Sequence, residues 1–484
     1  LTVTAEREHL KVLFIEPPKN SWFVMGEYIP PPFGILVLAG YLEAQNRDCD
    51  IDVIDCQAEK LDWKSLERRI ESLAPDVVAP SGLGTCNAYN VLRTVEITKK
   101  VDSSITTVVG GQHFTALAEE SLHEYPEIDI VVRGEGEETF SNLLNVLNED
   151  RSLSTVKGIS FRHRGHVIHN PDRQLLDDLN ALPFPGYHFV QEHMKTYYFT
   201  LMTGKSTPFA IIEGSRGCQH NCTYCSQWRF WKQTHRPKSP ERIADEFEHL
   251  HREYGSKFIW LTDDNFGLGE RIEHLCDELL NRGLSDDITW FVQARCDDII
   301  RNKRLLPKMR QAGAIWMLTG FESANPRTLD KFHRKGVSKV EAKQAVNLLK
   351  KNEIICQATF IIGEREDSHE SIERLREYVD WLDPDLATYM CLTPFPGTEI
   401  YKTAKRNNWI EEKNWNNYDM IHAIMPTEHL TREQVQKELY ECYRNFFGSW
   451  SRQYKGLFSK NPIMKRTYQY LARRAILTNL RNLF

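Results

Sequence analysis

Phe209-Ala210-Ile211-Ile212-Glu213-Gly214-Ser215-Arg216-Gly217-Cys218-Gln219-His220-Asn221-Cys222-Thr223-Tyr224-Cys225 joins an apolar strand to a loop that carries three cysteines. The run Phe209 to Glu213 reads as a strand, and the loop opens at Gly214-Ser215-Arg216. Cys-x-x-x-Cys-x-x-Cys is a metal-ligand spacing, and on spacing alone it has more than one reading. As three legs of a structural zinc site it needs a fourth ligand, for which His220 or His235 would serve, but zinc sites usually pair two short knuckles and only one is present. An iron–sulfur cluster wants four thiolates, so a loop with three either borrows a ligand or leaves a position for chemistry.

Downstream the strand-and-helix pattern repeats. Phe258 to Leu261, Ile288 to Val292, Ala314 to Leu318, Ile355 to Ile362 and Leu386 to Met390 are five further apolar runs with helical stretches between them, which predicts a partial (β/α)6 barrel over residues 206–400. Such barrels carry their chemistry at the C-terminal ends of the strands. Polar residues fall at those ends: Thr262-Asp263-Asp264-Asn265-Phe266-Gly267, Gln293-Ala294-Arg295, Gly320-Phe321-Glu322-Ser323 and Gly363-Glu364. One strand-end carboxylate is more often a helix cap or an ion pair; four such places in order behind a cysteine loop make a site.

Upstream, residues 1–154 alternate strands (Leu10 to Ile15, Ile51 to Asp55, Asp76 to Pro80, Thr106 to Val109, Ile128 to Val132) with helices, the signature of a doubly wound parallel sheet. The loops Ser81-Gly82-Leu83-Gly84-Thr85, Gly110-Gly111-Gln112-His113 and Arg133-Gly134-Glu135-Gly136-Glu137 all follow strands, so they line one ligand-sized, glycine-rich rim. Residues 155–205 form a connector with a hairpin around Gly165 and a rigid crossing, Leu182-Pro183-Phe184-Pro185-Gly186-Tyr187; His163, His166 and His169 alternate there as solvated hairpin residues. Residues 401–484 are helical, and from Gly448 onward the chain is basic and aromatic without an acidic residue. That tail either holds an acidic protein or a membrane surface, or covers the barrel edge.

The cysteine motif, with an aromatic before its last cysteine, resembles the signature of radical S-adenosylmethionine (SAM) enzymes. The stretch Cys225-Ser226-Gln227-Trp228-Arg229-Phe230-Trp231 is similar to the anaerobic magnesium-protoporphyrin monomethyl ester cyclases and their relatives, which include cobalamin-dependent methyltransferases. The resemblance spans roughly residues 10 to 400. It implies a 4Fe–4S cluster on Cys218, Cys222 and Cys225, and SAM beside Tyr224, with its amine near Asp263, Asp264 and Asn265, its carboxylate near Arg295, its ribose near Glu322 and Ser323, and its adenine near Ile361 and Gly363. The second strand departs from the family, reading Asp-Asp-Asn where many relatives have Gly-Gly-Glu.

For the upstream rim the resemblance implies cobalamin at Ser81, Leu83, Thr85, Gly110, Gly111, Gln112, Gly134 and Glu135. The Asp-x-His-x-x-Gly motif of other cobalamin proteins is missing, since Asp55 precedes Cys56-Gln57-Ala58-Glu59, so cobalamin would bind base-off without that histidine. Thr85, Gln112 and Tyr28 are candidates to face its lower side. The implied activity is methylation of an unactivated carbon through a 5'-deoxyadenosyl radical and methylcobalamin, as in relatives that methylate a glutamine Cα of methyl-coenzyme M reductase. The alternatives are oxidative cyclisation and a non-catalytic cluster and cobalamin sensor. An external electron donor of ferredoxin or flavodoxin type is implied, and a protein substrate is compatible.

Whole-chain properties narrow the class. With 484 residues, 41% hydrophobic and 26% charged, the chain has room for several ordinary globular cores. A net charge of −6 gives no global pull toward nucleic acid. No apolar run approaches a membrane span, and the first residues lack a signal-peptide core, so a cytoplasmic enzyme without a transmembrane segment is expected. Eight of the eleven cysteines are scattered singly, as thiols in a reducing compartment are.

Overall fold

The computed structural model describes residues 9–19, 27–45, 49–82 and 84–481. Strand β1 (Leu10–Glu16) is buried at every position but one, the near-continuous apolar pattern of a strand covered on both faces. It lies between β2 (Cys49–Asp55) and β3 (Val77–Pro80), followed in order by β4 (Thr106–Val109) and β5 (Ile130–Val132), all parallel. The hairpin around Gly165, β6 (Ile159–His163) and β7 (His166–His169), adds antiparallel to β5, so the seven-stranded sheet is mixed and runs into the connector. Helices α1 (Phe33–Gln45) and α3 (Glu137–Asn148) pack against each other over one face, while the short α2 (Gly111–Ala116) follows β4. Phe14, Ile35, Leu42, Val108, Phe140 and Leu143 fill the space beneath α1 and α3.

The second sheet has six parallel strands in sequence order: β8 (Phe209–Ile212), β9 (Phe258–Leu261), β10 (Thr289–Gln293), β11 (Ala314–Glu322), β12 (Ile355–Ile362) and β13 (Leu386–Cys391). Two tryptophans fully buried in its core keep their N–H groups paired, Trp290 donating to the Ala312 carbonyl (2.7 Å) and Trp316 to Gln357 Oε1 (2.9 Å).

An edge strand needs cover for its backbone groups. Helix α4 (Arg432–Gly448), opened by a capping box between Thr431 and Gln434, packs on β13 and supplies it. The Tyr443 hydroxyl donates to the Tyr389 carbonyl (2.7 Å) and accepts from the Tyr389 N–H (3.2 Å). Helices α5 (Trp450–Leu457) and α6 (Pro462–Arg481) form a hairpin beside it. Part of the basic tail is spent internally, since Arg452 pairs with Asp380 and Asp383. Among the described residues no helix is long and apolar enough to cross a membrane.

Candidate active site

Beyond β8 the chain enters a two-residue strand, Ser215–Arg216, paired antiparallel with Arg236–Pro237. This ribbon closes the neck of the cysteine loop. The Cys225 N–H (3.1 Å) and the Trp228 indole N–H (2.9 Å) both donate to the Cys222 carbonyl, and the Thr223 N–H donates to the Phe332 carbonyl (3.2 Å). Gly217 sits at φ +86°, where a Cβ would lie 2.4 Å from the Thr234 carbonyl oxygen and 2.9 Å from the Trp231 Cβ. Gly217→Ala is therefore expected to displace Cys218, at a strain of roughly 1–3 kcal/mol. Iron and sulfide per reconstituted chain should fall to less than about half of wild type, and unchanged content would refute the tight-turn argument.

Cys218, Cys222 and Cys225 line one cavity of about 370 Å³. Among the described residues no three His, Cys, Asp or Glu side chains converge as ligands of a single ion. The three thiols share one cavity wall, as the cysteine ligands of an iron–sulfur cluster must. Burial pushes the thiol of Cys225 up to about 12 and raises that of Cys218, so a cationic metal centre is what would hold them as thiolates.

The same cavity is lined by Tyr224, Asp264, Asn265, Arg295, Glu322 and Ile361. Burial, with Asp263 next to it, lifts Asp264 to about 7. Asn265 Oδ1 is buried without a hydrogen-bond partner. An orphaned acceptor beside a strained carboxylate fits a ligand bearing an ammonium and a sulfonium. Glu322 reaches the cavity through backbone distortion: it has φ +63°, and the β11–β12 register shifts between Gly320 and Glu322. A Cβ on Gly320 would meet Glu322 Oε1 at 2.1 Å, so a side chain at 320 would evict the carboxylate.

Three residues expected near SAM are placed differently. Asp263 is fully buried and turned inward, accepting from the Gly214 N–H (2.9 Å) and the Ser215 hydroxyl; it holds the start of the cysteine loop rather than lining the cavity. Ser323 accepts from the Asn325 N–H (3.1 Å), and the Gly363 N–H donates to Asp367 (2.9 Å); neither lines the cavity. Conversely Trp260, Arg334, Met390, Phe395 and Met420 line it without having been expected. Arg334 donates to the Gly320 carbonyl (2.9 Å) and lies 3.7 Å from Glu322.

A second cavity, about 270 Å³, opens at the carboxyl ends of β1, β3, β4 and β5. Ser81, Gly110, Gly111, Gly134 and Glu135 line it, as do Gly34, Gly136 and the apolar Phe14, Val108, Val132 and Phe140. A Cβ on Gly34, Gly111 or Gly134 would project into open space, so these glycines keep the cradle clear for a flat, bulky group, and the apolar floor suits cobalamin's ring system and tail. Thr85 and Gln112 do not line it, and Leu83 lies outside the described residues. Gln112 instead bridges the domains, accepting from the Ser226 hydroxyl (3.0 Å) and donating to Gln227 Oε1. Tyr28, stacked on Phe199, lines the cysteine cavity.

Glu135 also has a different task from ligand contact. It pairs with Arg216 (2.9 Å) and Arg236 (2.9 Å), while Arg216 reaches Glu137 (2.6 Å) and Glu213 (2.7 Å). This buried network ties the rim of the second cavity to the neck of the cysteine loop.

Residues 25–144 match the B12 binding domain family and residues 212–379 the radical SAM superfamily. The chain is 32% identical to an uncharacterized methyltransferase of Pyrococcus horikoshii, over 90% of this chain and 92% of that one. It is 30% identical to the anaerobic magnesium-protoporphyrin IX monomethyl ester cyclase of Rubrivivax gelatinosus, over 90% of this chain and 77% of that one. Its fold is similar to that of the cobalamin-dependent SAM radical enzyme OxsB, with TM-score 0.73 and 17% identity over 97% of this chain and 71% of that one.

Proposed function

The chain belongs to the B12-binding radical SAM enzymes, with a 4Fe–4S cluster, SAM and cobalamin as its cofactors, and we propose that it methylates an unactivated carbon. What supports this most is the pairing of two separate cavities, one walled by three cysteines and one by glycines, across the contact of Gln112 with Ser226 and Gln227. One-electron cleavage of SAM and carriage of a methyl group are the chemistry these cofactors supply when bound. Cys218, Cys222 and Cys225 would hold the cluster, Asp264 and Asn265 the SAM ammonium, and the slot at Gly110, Gly111 and Gly134 the cobalamin.

The chain's own task is to orient and to keep water out. Among the described residues the charged side chains of the cysteine cavity are Asp264, Arg295, Glu322 and Arg334, whereas the wall at the end of β13 is Met390, Cys391, Leu392 and Phe395, with Met420. An uncharged carbon brought against that wall meets no competing base. The similarity to the cyclase favours a second reading, oxidative ring closure with the same cofactors. Anaerobic incubation of reconstituted enzyme with a strong reductant, SAM labelled in its methyl group and an extract containing acceptor separates the two. Label in a product supports methylation; 5'-deoxyadenosine released without any labelled product counts against it.

A further inference from the structure

Helix α5 has two faces of opposite character. Arg452 and Gly456, one helical turn apart, face the protein: Arg452 donates to Asp383 (2.8 Å) and Asp380 (3.1 Å), and a Cβ on Gly456 would lie 2.1 Å from the Tyr468 ring. Two residues on, roughly 200° around the helix, the opposite stripe carries Trp450, Tyr454 and Phe458. They are 88%, 66% and 68% exposed, and the rings of Tyr454 and Phe458 pack on each other at 4.7 Å. Because the inward face is pinned by an ion pair and a glycine contact, the aromatic stripe cannot roll into the core.

Exposed cations lie on the same hairpin as this stripe. Lys455 is 65% exposed, with its Nζ no closer than 3.8 Å to Asp383, and Lys460, Lys465 and Arg473 are exposed on the same hairpin. From Gly448 to Phe484 the sequence has no acidic residue. Tryptophan and tyrosine rings with flanking lysines are the side chains that settle at a lipid headgroup layer, and each cation near an anionic membrane adds attraction. A convex row on one helix buries little against a rigid protein but inserts into a deformable headgroup region.

We propose that the α5–α6 hairpin binds the surface of an anionic lipid bilayer, with Trp450, Tyr454 and Phe458 inserted and the basic side chains on the headgroups. The attachment is in-plane, since no described helix can span. Asp380 and Asp383, where α5 is anchored, lie just ahead of the start of β13 at Leu386, whereas the cysteine cavity is lined at the other end of that strand by Cys391, Leu392 and Thr393. The bilayer therefore meets the face opposite the cavity and leaves SAM chemistry untouched.

Flotation of the full-length holoenzyme tests this, using vesicles of phosphatidylcholine alone and of phosphatidylcholine with phosphatidylglycerol. Binding should require the anionic lipid, weaken as salt is raised, and disappear in the triple variant Trp450→Ala, Tyr454→Ala, Phe458→Ala, while reductive SAM cleavage stays at wild-type rate. Lys455→Glu with Lys460→Glu should lower the partition coefficient by at least roughly thirtyfold, from about 1 kcal/mol per cation. No flotation at low salt, or flotation that the triple variant retains, overturns the proposal. Absence of vesicle binding together with aromatic-dependent retention on immobilised poly-glutamate would assign the face to an acidic protein instead.

Discussion

Replacing Cys222 with alanine is expected to abolish SAM cleavage and to leave cobalamin binding in place. Cys222 is the most enclosed of the three loop thiols, at 7% exposure, yet its backbone is fixed independently of its sulfur. Its carbonyl accepts from the Cys225 N–H and the Trp228 indole, and neither contact needs the side chain. Alanine therefore removes one thiolate from an otherwise intact loop. A cluster held by three protein thiolates does not survive with two, because a second iron then lacks a protein ligand beside the one already left open. The expected result is loss of the iron–sulfur absorption and 5'-deoxyadenosine at background, measured anaerobically after reconstitution. Among the described residues none lines both cavities, so cobalamin titrated into the variant should still bind. Retained cleavage would refute the assignment of the cluster to this loop, and a variant that loses cobalamin as well would show the domains to be folded as one unit.

The fold was legible because its signals are local. Most parallel strands are apolar runs that can be read alone, β2 shows alternation instead, and the capping box at Thr431 and Gln434 marks α4 without reference to anything it touches. The same holds for the cysteines, the glycine loops and the strand-end position of Asp264, Arg295 and Glu322, since strand ends fix which edge a residue reaches. What could not be read is direction and partnership. Asp263 and Asp264 are adjacent, and alternation sends one inward to Gly214 and Ser215 and the other into the cavity; sequence supplies the alternation but not its phase. Glu135 stands in a glycine loop that suggests a ligand, yet its partners Arg216 and Arg236 lie 81 and 101 residues away. Arg334 follows a short helix and gives no local sign that it folds back to the Gly320 carbonyl at the cavity wall.

Arg216→Met is expected to be among the most destabilising single substitutions in the protein, and its effect should depend on pH in a defined direction. The guanidinium is 4% exposed and stands among Glu135, Glu137 and Glu213, whose side chains are 4%, 5% and 12% exposed. Methionine fills much of the volume but strands carboxylates that have little water to solvate them, and breaking such a buried pair costs about 3–5 kcal/mol. Burial by itself would raise the Glu213 carboxyl, but Arg216, with help from Lys238 and Arg236, outweighs it and holds the group below its ordinary 4.5. In the wild type this depressed value contributes stability that is present above about pH 4.5 and is lost as pH falls through the folded value. Without Arg216 the burial effect gains the upper hand and the carboxyl is pushed upward, so the folded state is penalised most where the group must be ionised. The gap in thermal midpoint between wild type and Arg216→Met should therefore be widest near pH 7 and narrow toward pH 4.5. A gap that is flat across that range would mean the loss is one of packing alone. Adding Glu213→Gln to Arg216→Met should recover part of the midpoint at pH 7, because it removes a charge that has lost its partner. Arg216→Lys keeps the charge but not the fork that reaches three carboxylates at once, and should fall between. Since Glu135, Glu137, Glu213 and Arg216 all line the glycine-walled cavity proposed to hold cobalamin, cobalamin affinity should fall in the same order as stability.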